Sequence, residues 1–229
     1  MSGFLYGVFA YLGVVTLPAA FLLGFRHESG APIGNLYFNV IIYAIFIVVH
    51  IAMTMPALKR LLFGSPEGSP VERRIYVAIS ILSWLAVYVL HKPVGGFGFE
   101  SPVWLQFVGL TAVLIGVVSF FEFATFESLG SLLGMPGGEV SHTAGAETPL
   151  MMEGPYASVR HPMYRAAVGY ALASLLIHPN ACQLLFVIMV GASFLGFIPF
   201  EESQLVRHRG EDYERYRQAT PYRVLNRIW

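Results

Sequence analysis

Long apolar runs separated by short polar connectors set the pattern of this chain. They lie at about residues 3–25, 36–55, 75–91, 102–121, 162–178 and 181–199. A helix needs about 20 residues to cross a bilayer core. Backbone N–H and C=O groups in lipid must be satisfied within the segment, so runs of this length predict helices rather than open strands. The predicted fold is therefore all-α: a polytopic membrane protein with about six transmembrane helices. The fourth helix is expected to run on toward Leu133. After Pro199 a polar stretch predicts a separate cytoplasmic C-terminal helix from Glu201 to about Gln218, ended by Pro221. The chain divides into an N-terminal four-helix part, 1–134, and a C-terminal hairpin with its tail, 152–221, within one integral membrane domain, 1–229. Connectors are expected at 64–71, at 93–101, and at 135–153, where the longest is rich in Gly and Thr and fits either a lid or a linker.

Charge placement orients the bundle. Six spans put both termini on one side, and 12 of the 14 Lys and Arg residues fall there; only Arg26 and Lys92 fall on the other. The positive-inside rule then predicts cytoplasmic termini. The first run, 3–24, is too long for the apolar part of a secretion signal and has no basic residues before it, so it is expected to be the first membrane helix. A bacterial inner membrane is the expected location.

Composition agrees with this picture. The 229 residues are 55% hydrophobic and only 12% charged, against about a quarter charged in soluble domains. There is no basic stripe to hold nucleic acid. The single cysteine, Cys182, excludes an intramolecular disulfide and a cysteine metal cluster. Gly95-Gly96-Phe97-Gly98 lacks the spacing of a dinucleotide loop and lies on the outer side, so it is expected to be a turn.

Candidate chemistry concentrates near the C-terminal hairpin. Pro162 suits the first position of the fifth helix, which places Arg160 and His161 at that helix's N-terminal mouth. The turn at His178-Pro179-Asn180 is short, and the fifth and sixth helices are similar in length. An antiparallel pair of equal rise returns Glu201 and Glu202 to the level of Arg160 and His161. Tyr213 and Tyr216, three apart, share a face of the following helix. A guanidinium, an imidazole, two carboxylates and several aromatics at a helix N-terminus fit a zwitterionic ligand. Each residue also has a plainer reading. Arg160 with Glu201 or Glu202 fits a structural ion pair, His161 fits a helix cap, and Tyr156 and Tyr164 fit an aromatic belt. His50, near the cytoplasmic end of the second helix, fits either an acceptor-side catalytic residue or an interhelical hydrogen bond. His91 and His178 are expected at the outer interface. Charges near hydrocarbon are costly to keep, which favours function for the set as a whole.

This set resembles the isoprenylcysteine carboxyl methyltransferase-like superfamily of integral membrane methyltransferases. The resemblance is carried by Gly154-Pro155-Tyr156, Arg160-His161-Pro162-Met163-Tyr164, Glu201-Glu202-Ser203-Gln204-Leu205, and Tyr213 with Tyr216. It covers about residues 152–221. His50 with Met53, Pro56 and Lys59-Arg60, and Pro70-Val71-Glu72-Arg73 before Tyr76-Val77, resemble the methanethiol S-methyltransferase and NnrU-like branch. The chain departs from the usual pattern at Arg165-Ala166 and Arg209-Gly210, and in its terminal 223–229 segment.

The resemblance implies S-adenosylmethionine as cofactor and no metal. It implies a cofactor pocket lined by Tyr156, Arg160, His161, Pro162, Tyr164, Glu201, Glu202, Tyr213 and Tyr216, with His161, Glu202 and His50 as catalytic candidates. The expected partners are membrane lipids and a small-molecule or lipid acceptor: a small thiol such as methanethiol, or else a prenylcysteine carboxylate or a phospholipid amine. A non-catalytic sensor, assembly factor or small transporter is the reading from another class, though the lack of a repeat speaks against transport.

Overall fold

The computed structural model describes residues 5–10, 12–13, 22–64, 70–126, 133, 150 and 152–229. Among these residues the architecture is helical, and the only β pairing is two isolated bridges, His27 to Val94 and Gly98 to Asn180. The helices are α1 (Ile33–Ala52), α2 (Pro56–Phe63), α3 (Pro70–Leu90), α4 (Val103–Phe126), α5 (Pro162–Ile177), α6 (Ala181–Arg209) and α7 (Glu211–Ala219), with a 3-10 turn at Gly154–Ala157. Residues 5–10 and 12–13 are also helical; the rest of the expected first span lies outside the described residues. Ile33–Ala52, Val71–Leu90 and Ala181–Arg209 are long and apolar enough to cross a membrane, and Val103–Val118 and Pro162–Ile177 are shorter apolar helices.

Helical spacing sorts α1 into two faces. Ile33, Tyr37, Ile41, Ile45 and Val48 are exposed, while Asn39, Tyr43 and Phe46 are buried on the opposite side. Exposed apolar side chains in this number belong against lipid rather than water. Val103, Trp104, Phe107, Leu110, Leu114 and Ile115 give α4 a similar outer face. Inside, Tyr43, Phe46, Val87, Ala171, Leu185, Phe186 and Val190 make one core cluster. Trp84 joins α3 to it, with its ring 4.3 Å from Phe46 and 6.2 Å from Phe186.

Polar bonds weld the bundle at the end away from Glu201 and Glu202. Buried Asn39 donates to the Lys92 carbonyl (2.8 Å) and accepts from the Lys92 amide (2.9 Å). The Val94 amide donates to Cys182 Sγ at 3.1 Å. Asn180 caps α6 by accepting from the Gln183 amide. His91 stacks on Phe25 at 3.9 Å, and His178 reaches the Leu22 carbonyl at 2.8 Å. Both histidines therefore turn inward to protein partners instead of facing headgroups.

Two boundaries differ from expectation. The helix expected to begin near Ile75 begins at Pro70, so the connector before it ends earlier; 65–69 lies outside the described residues. The sixth helix does not stop at Pro199 but runs on through it to Arg209. A proline in a helix removes one hydrogen bond, here to the Leu195 carbonyl, and bends the helix without ending it when neighbouring packing holds both halves. The break comes at Gly210, whose φ of 54° lies in the left-handed region that favours glycine. Length then fixes depth: at 1.5 Å per residue, about 20 residues from Ala181 span about 30 Å, so Glu201 and Glu202 emerge at the membrane edge.

The most extensive pairing among the described helices is α4 along α5. A Cβ on Gly109 would meet Ile177 Cγ1 at 2.7 Å and the Ala173 carbonyl at 3.0 Å. Gly109→Val is therefore expected to cost about 1–3 kcal/mol through overpacking, read as a lower thermal unfolding midpoint in detergent. An unchanged midpoint would mean that α4 and α5 do not meet there.

Candidate functional site

Pro162 opens α5, so Arg160 and His161 sit just before the first turn, as the spacing predicts. What holds them there is a segment the sequence does not single out. The Arg160 amide donates to the Tyr222 carbonyl (2.9 Å) and the His161 amide to the Arg223 carbonyl (2.8 Å). The chain after α7 thus returns as a strap across the N-terminus of α5. Tyr216 anchors this return by donating to the Tyr156 carbonyl at 2.9 Å, which ties α7 to the 3-10 turn.

Glu202 is the centre of the cluster. Its Oε1 accepts from Arg160 Nε at 2.8 Å and faces His161 Nε2 at 3.3 Å. Its Oε2 accepts from Arg223 Nε (3.1 Å) and Nη2 (3.0 Å). Arg160 also donates from Nη1 to the Thr220 carbonyl at 2.7 Å. Arg223 lies over the Trp229 ring, 5.4 Å from its centroid. Arg160, His161 and Glu202 are all buried. Two guanidinium groups and an imidazole around one carboxylate meet the condition for keeping charge out of water: every charge is paired and hydrogen-bonded.

Glu201 stands differently. Its side chain is 36% exposed against 6% for Glu202. Oε2 accepts from the Tyr164 hydroxyl at 2.6 Å and lies 3.5 Å from His161 Nδ1. Among the described residues, no hydrogen bond is recorded to Glu201 Oε1. His161 is thus clasped between both carboxylates, with neither ring nitrogen directed at open space. Its ring stacks on Tyr164 (5.2 Å, 17°), and Tyr164 meets Phe194 of α6 at 5.0 Å.

Tyr213 and Tyr216 pack side by side, their centroids 6.0 Å apart, and both are buried. Burial pushes the Tyr216 phenol up to about 12, with the Arg160 guanidinium pulling the other way. Burial, reinforced by Glu202, likewise raises Tyr213. Both phenols are therefore protonated near neutral pH. The buried Tyr213 hydroxyl has no hydrogen-bond partner among the described residues. A buried hydroxyl left unpaired is costly, and at this place it offers a bond to a ligand.

His50 has hydrogen-bond partners of its own. Nε2 meets the Tyr76 hydroxyl at 2.6 Å and Nδ1 meets Ser80 Oγ at 3.1 Å. The interhelical hydrogen bond expected as the plainer reading is therefore present. Of the pocket residues expected from the sequence, Arg160, His161, Tyr164, Glu201 and Glu202 form one connected network. Pro162, Tyr156, Tyr213 and Tyr216 frame it. Arg223 and Thr220 join it without a role that the sequence predicts. Arg223 reads in sequence as one more basic tail residue, and Pro221 is the only local sign that the chain turns back. Among the described residues, no cluster of three or more His, Cys, Asp or Glu could hold a metal ion.

Comparison with known proteins bears on what this geometry serves. Residues 104–212 match the family model described as phospholipid methyltransferase, a stretch that includes α5 and α6 with Arg160, His161, Glu201 and Glu202 and stops short of Tyr213 and Arg223. Methanethiol S-methyltransferase 2 of Bradyrhizobium diazoefficiens is 28% identical over 96% of this chain and 83% of its own length. Methanethiol S-methyltransferase of Crocosphaera subtropica is 29% identical over 95% of this chain and 89% of its own. Protein-S-isoprenylcysteine O-methyltransferase B of Arabidopsis thaliana is 23% identical over 86% and 92%.

Proposed function

We propose that this chain, an integral membrane methyltransferase carrying a phospholipid methyltransferase family domain over residues 104–212, transfers a methyl group from S-adenosylmethionine to a small thiol. The observation that carries the reading is the paired charge network at the mouth of α5 and α6, with an unpaired Tyr213 hydroxyl beside it. Likeness to methanethiol S-methyltransferases along nearly the whole chain supports the choice of acceptor.

The residues fit a zwitterionic cofactor. Arg160 spends two of its five N–H donors on Glu202 and Thr220, which leaves part of its fork for a carboxylate. Glu201, half out of the protein, offers Oε1 to an ammonium or sulfonium. Tyr213 offers a hydroxyl, and Tyr156, Tyr164 and Tyr216 offer ring faces. Glu202 is committed to Arg160 and Arg223 and acts by positioning them. His161, turned to both carboxylates, acts as a wall that spaces them. When bound, the cofactor supplies an electrophilic methyl carbon on a sulfonium. The protein's task is then to align the acceptor in line with that carbon, which can account for much of the rate. The distribution of basic residues supports a cytoplasmic position for this end of the bundle, the side on which the cofactor would be supplied.

Labelled S-adenosylmethionine with detergent-purified protein and methanethiol, a prenylcysteine or phosphatidylethanolamine tests the reading. The expected product is the volatile thioether. Methyl transfer confined to the prenylcysteine or the lipid would overturn the choice of acceptor, and no transfer to any of the three would overturn the activity.

A further inference from the structure

Outside the charge network lies a second polar group within the membrane helices: Tyr76, His50 and Ser80. We propose that Tyr76 and His50 form a proton relay on the acceptor side of the site, and that the acceptor is therefore a protic nucleophile, a thiol, rather than a carboxylate. The inference rests on the methyltransferase reading above.

Hydrogen bonds fix the direction of the relay. Ser80 donates its hydroxyl proton to the Tyr76 carbonyl at 2.8 Å. Its Oγ must then accept from His50, so Nδ1 carries the imidazole proton and Nε2 presents a lone pair. The Tyr76 hydroxyl, 2.6 Å away, donates to that lone pair. An orienting hydroxyl, a fixed imidazole tautomer and a donor poised on the free nitrogen repeat the logic of an activated nucleophile's base. Phe46 stacks on the His50 ring at 5.4 Å and holds its plane.

Helix geometry puts the relay at the depth of the site. Tyr76 is 14 residues from the outer end of α3 at Leu90, and Tyr164 is 13 from the outer end of α5 at Ile177. Both are therefore about 20 Å from the outer end by helical rise. The Tyr76 phenol lies within electrostatic reach of Glu201, and Tyr164 within reach of Tyr76. The groups facing the relay are Arg73, with its guanidinium 5.4 Å from the Tyr76 ring centroid, Glu201 of α6, Tyr164 of α5, and Tyr6, whose cluster packs against Tyr76. Neither His50 nor Tyr76 is fully buried.

The step balances as follows. The thiol sulfur forms its bond to the methyl carbon while the methyl–sulfonium bond breaks, its electron pair staying on the departing sulfur. The S–H proton passes to the Tyr76 oxygen as the Tyr76 proton passes to His50 Nε2. The imidazolium then returns its proton to water. Thiols need such help because the thiolate is the nucleophile. A carboxylic acid is already ionised at neutral pH, with an ordinary pKa near about 4, and would leave the relay idle.

Tyr76→Phe and His50→Gln test this, each assayed for S-adenosylhomocysteine binding by calorimetry and for thiol methylation across pH. Both variants are expected to bind S-adenosylhomocysteine within about twofold of wild type, since neither residue touches the cofactor network. Their kcat near neutral pH should fall by about 100-fold, the lower range for general acid–base assistance. The deficit should shrink as pH rises and solvent supplies thiolate. Wild-type kcat and pH dependence in either folded variant would overturn the relay, as would loss of S-adenosylhomocysteine binding in the variants alone. Failure of wild type to bind S-adenosylhomocysteine would instead bring down the methyltransferase reading, and this inference with it.

Discussion

Glu202→Ala is expected to destabilise the protein by about 3–5 kcal/mol and to abolish cofactor binding. That is the usual cost of removing one partner from a buried ion pair. The argument is local. Glu202 answers Arg160 through one oxygen and Arg223 through the other. Without it, two buried or half-buried guanidinium groups face each other across an empty centre. Arg160 sits at the mouth of α5, and Arg223 belongs to the strap whose carbonyls take the Arg160 and His161 amides. Repulsion between them would part the strap from the helix and open the pocket. Thermal unfolding in detergent reads the loss directly. A Glu202→Ala protein that melts with wild type would show that the network does not hold the C-terminal segment.

The neighbouring residue should behave in the opposite way. Glu201→Gln is expected to fold like wild type yet bind S-adenosylhomocysteine about 10- to 100-fold more weakly. The side chain is half exposed, and the amide oxygen can still accept from Tyr164, so little stability is at stake. What is lost is a negative charge facing the ligand, and a hydrogen bond to a charged partner contributes about 1.5–3 kcal/mol. Calorimetric titration separates the two glutamates: affinity falls in one variant without instability, and both fall in the other. Equal affinity in Glu201→Gln and wild type would move the ligand away from Glu201.

Much of this arrangement is legible in the chain because helical rise is so regular. Pro162 opening α5, the short turn at 178–180 and the regular rise of two antiparallel helices suffice to bring Arg160 and His161 to Glu201 and Glu202. The facing residues Asn39, Tyr43, Phe46 and His50 likewise follow from one helical stripe. The passage of α6 through Pro199 is harder to read. Pro199 looks like a terminator, but a long helix held by packing tolerates it, and the left-handed Gly210 ends the helix instead. The strap is harder still. Nothing in the pattern of 220–229 shows that Arg223 comes back to Glu202, because that contact depends on the angle between α6 and α7 and on backbone bonds to Arg160 and His161, far earlier in the chain. The difference between Glu201 and Glu202 is similarly invisible in sequence, since adjacent positions on a helix differ in direction and the faces are set by what packs against them.

The most direct test of the central claim is a calorimetric titration of S-adenosylhomocysteine into the detergent-purified wild type, beside Arg160→Ala. Binding at a single site in the wild type, lost in a folded Arg160→Ala protein, is the predicted result and would place the cofactor at the mouth of α5 and α6. A folded wild type that takes up no S-adenosylhomocysteine, or an Arg160→Ala protein that binds it equally well, would contradict the account.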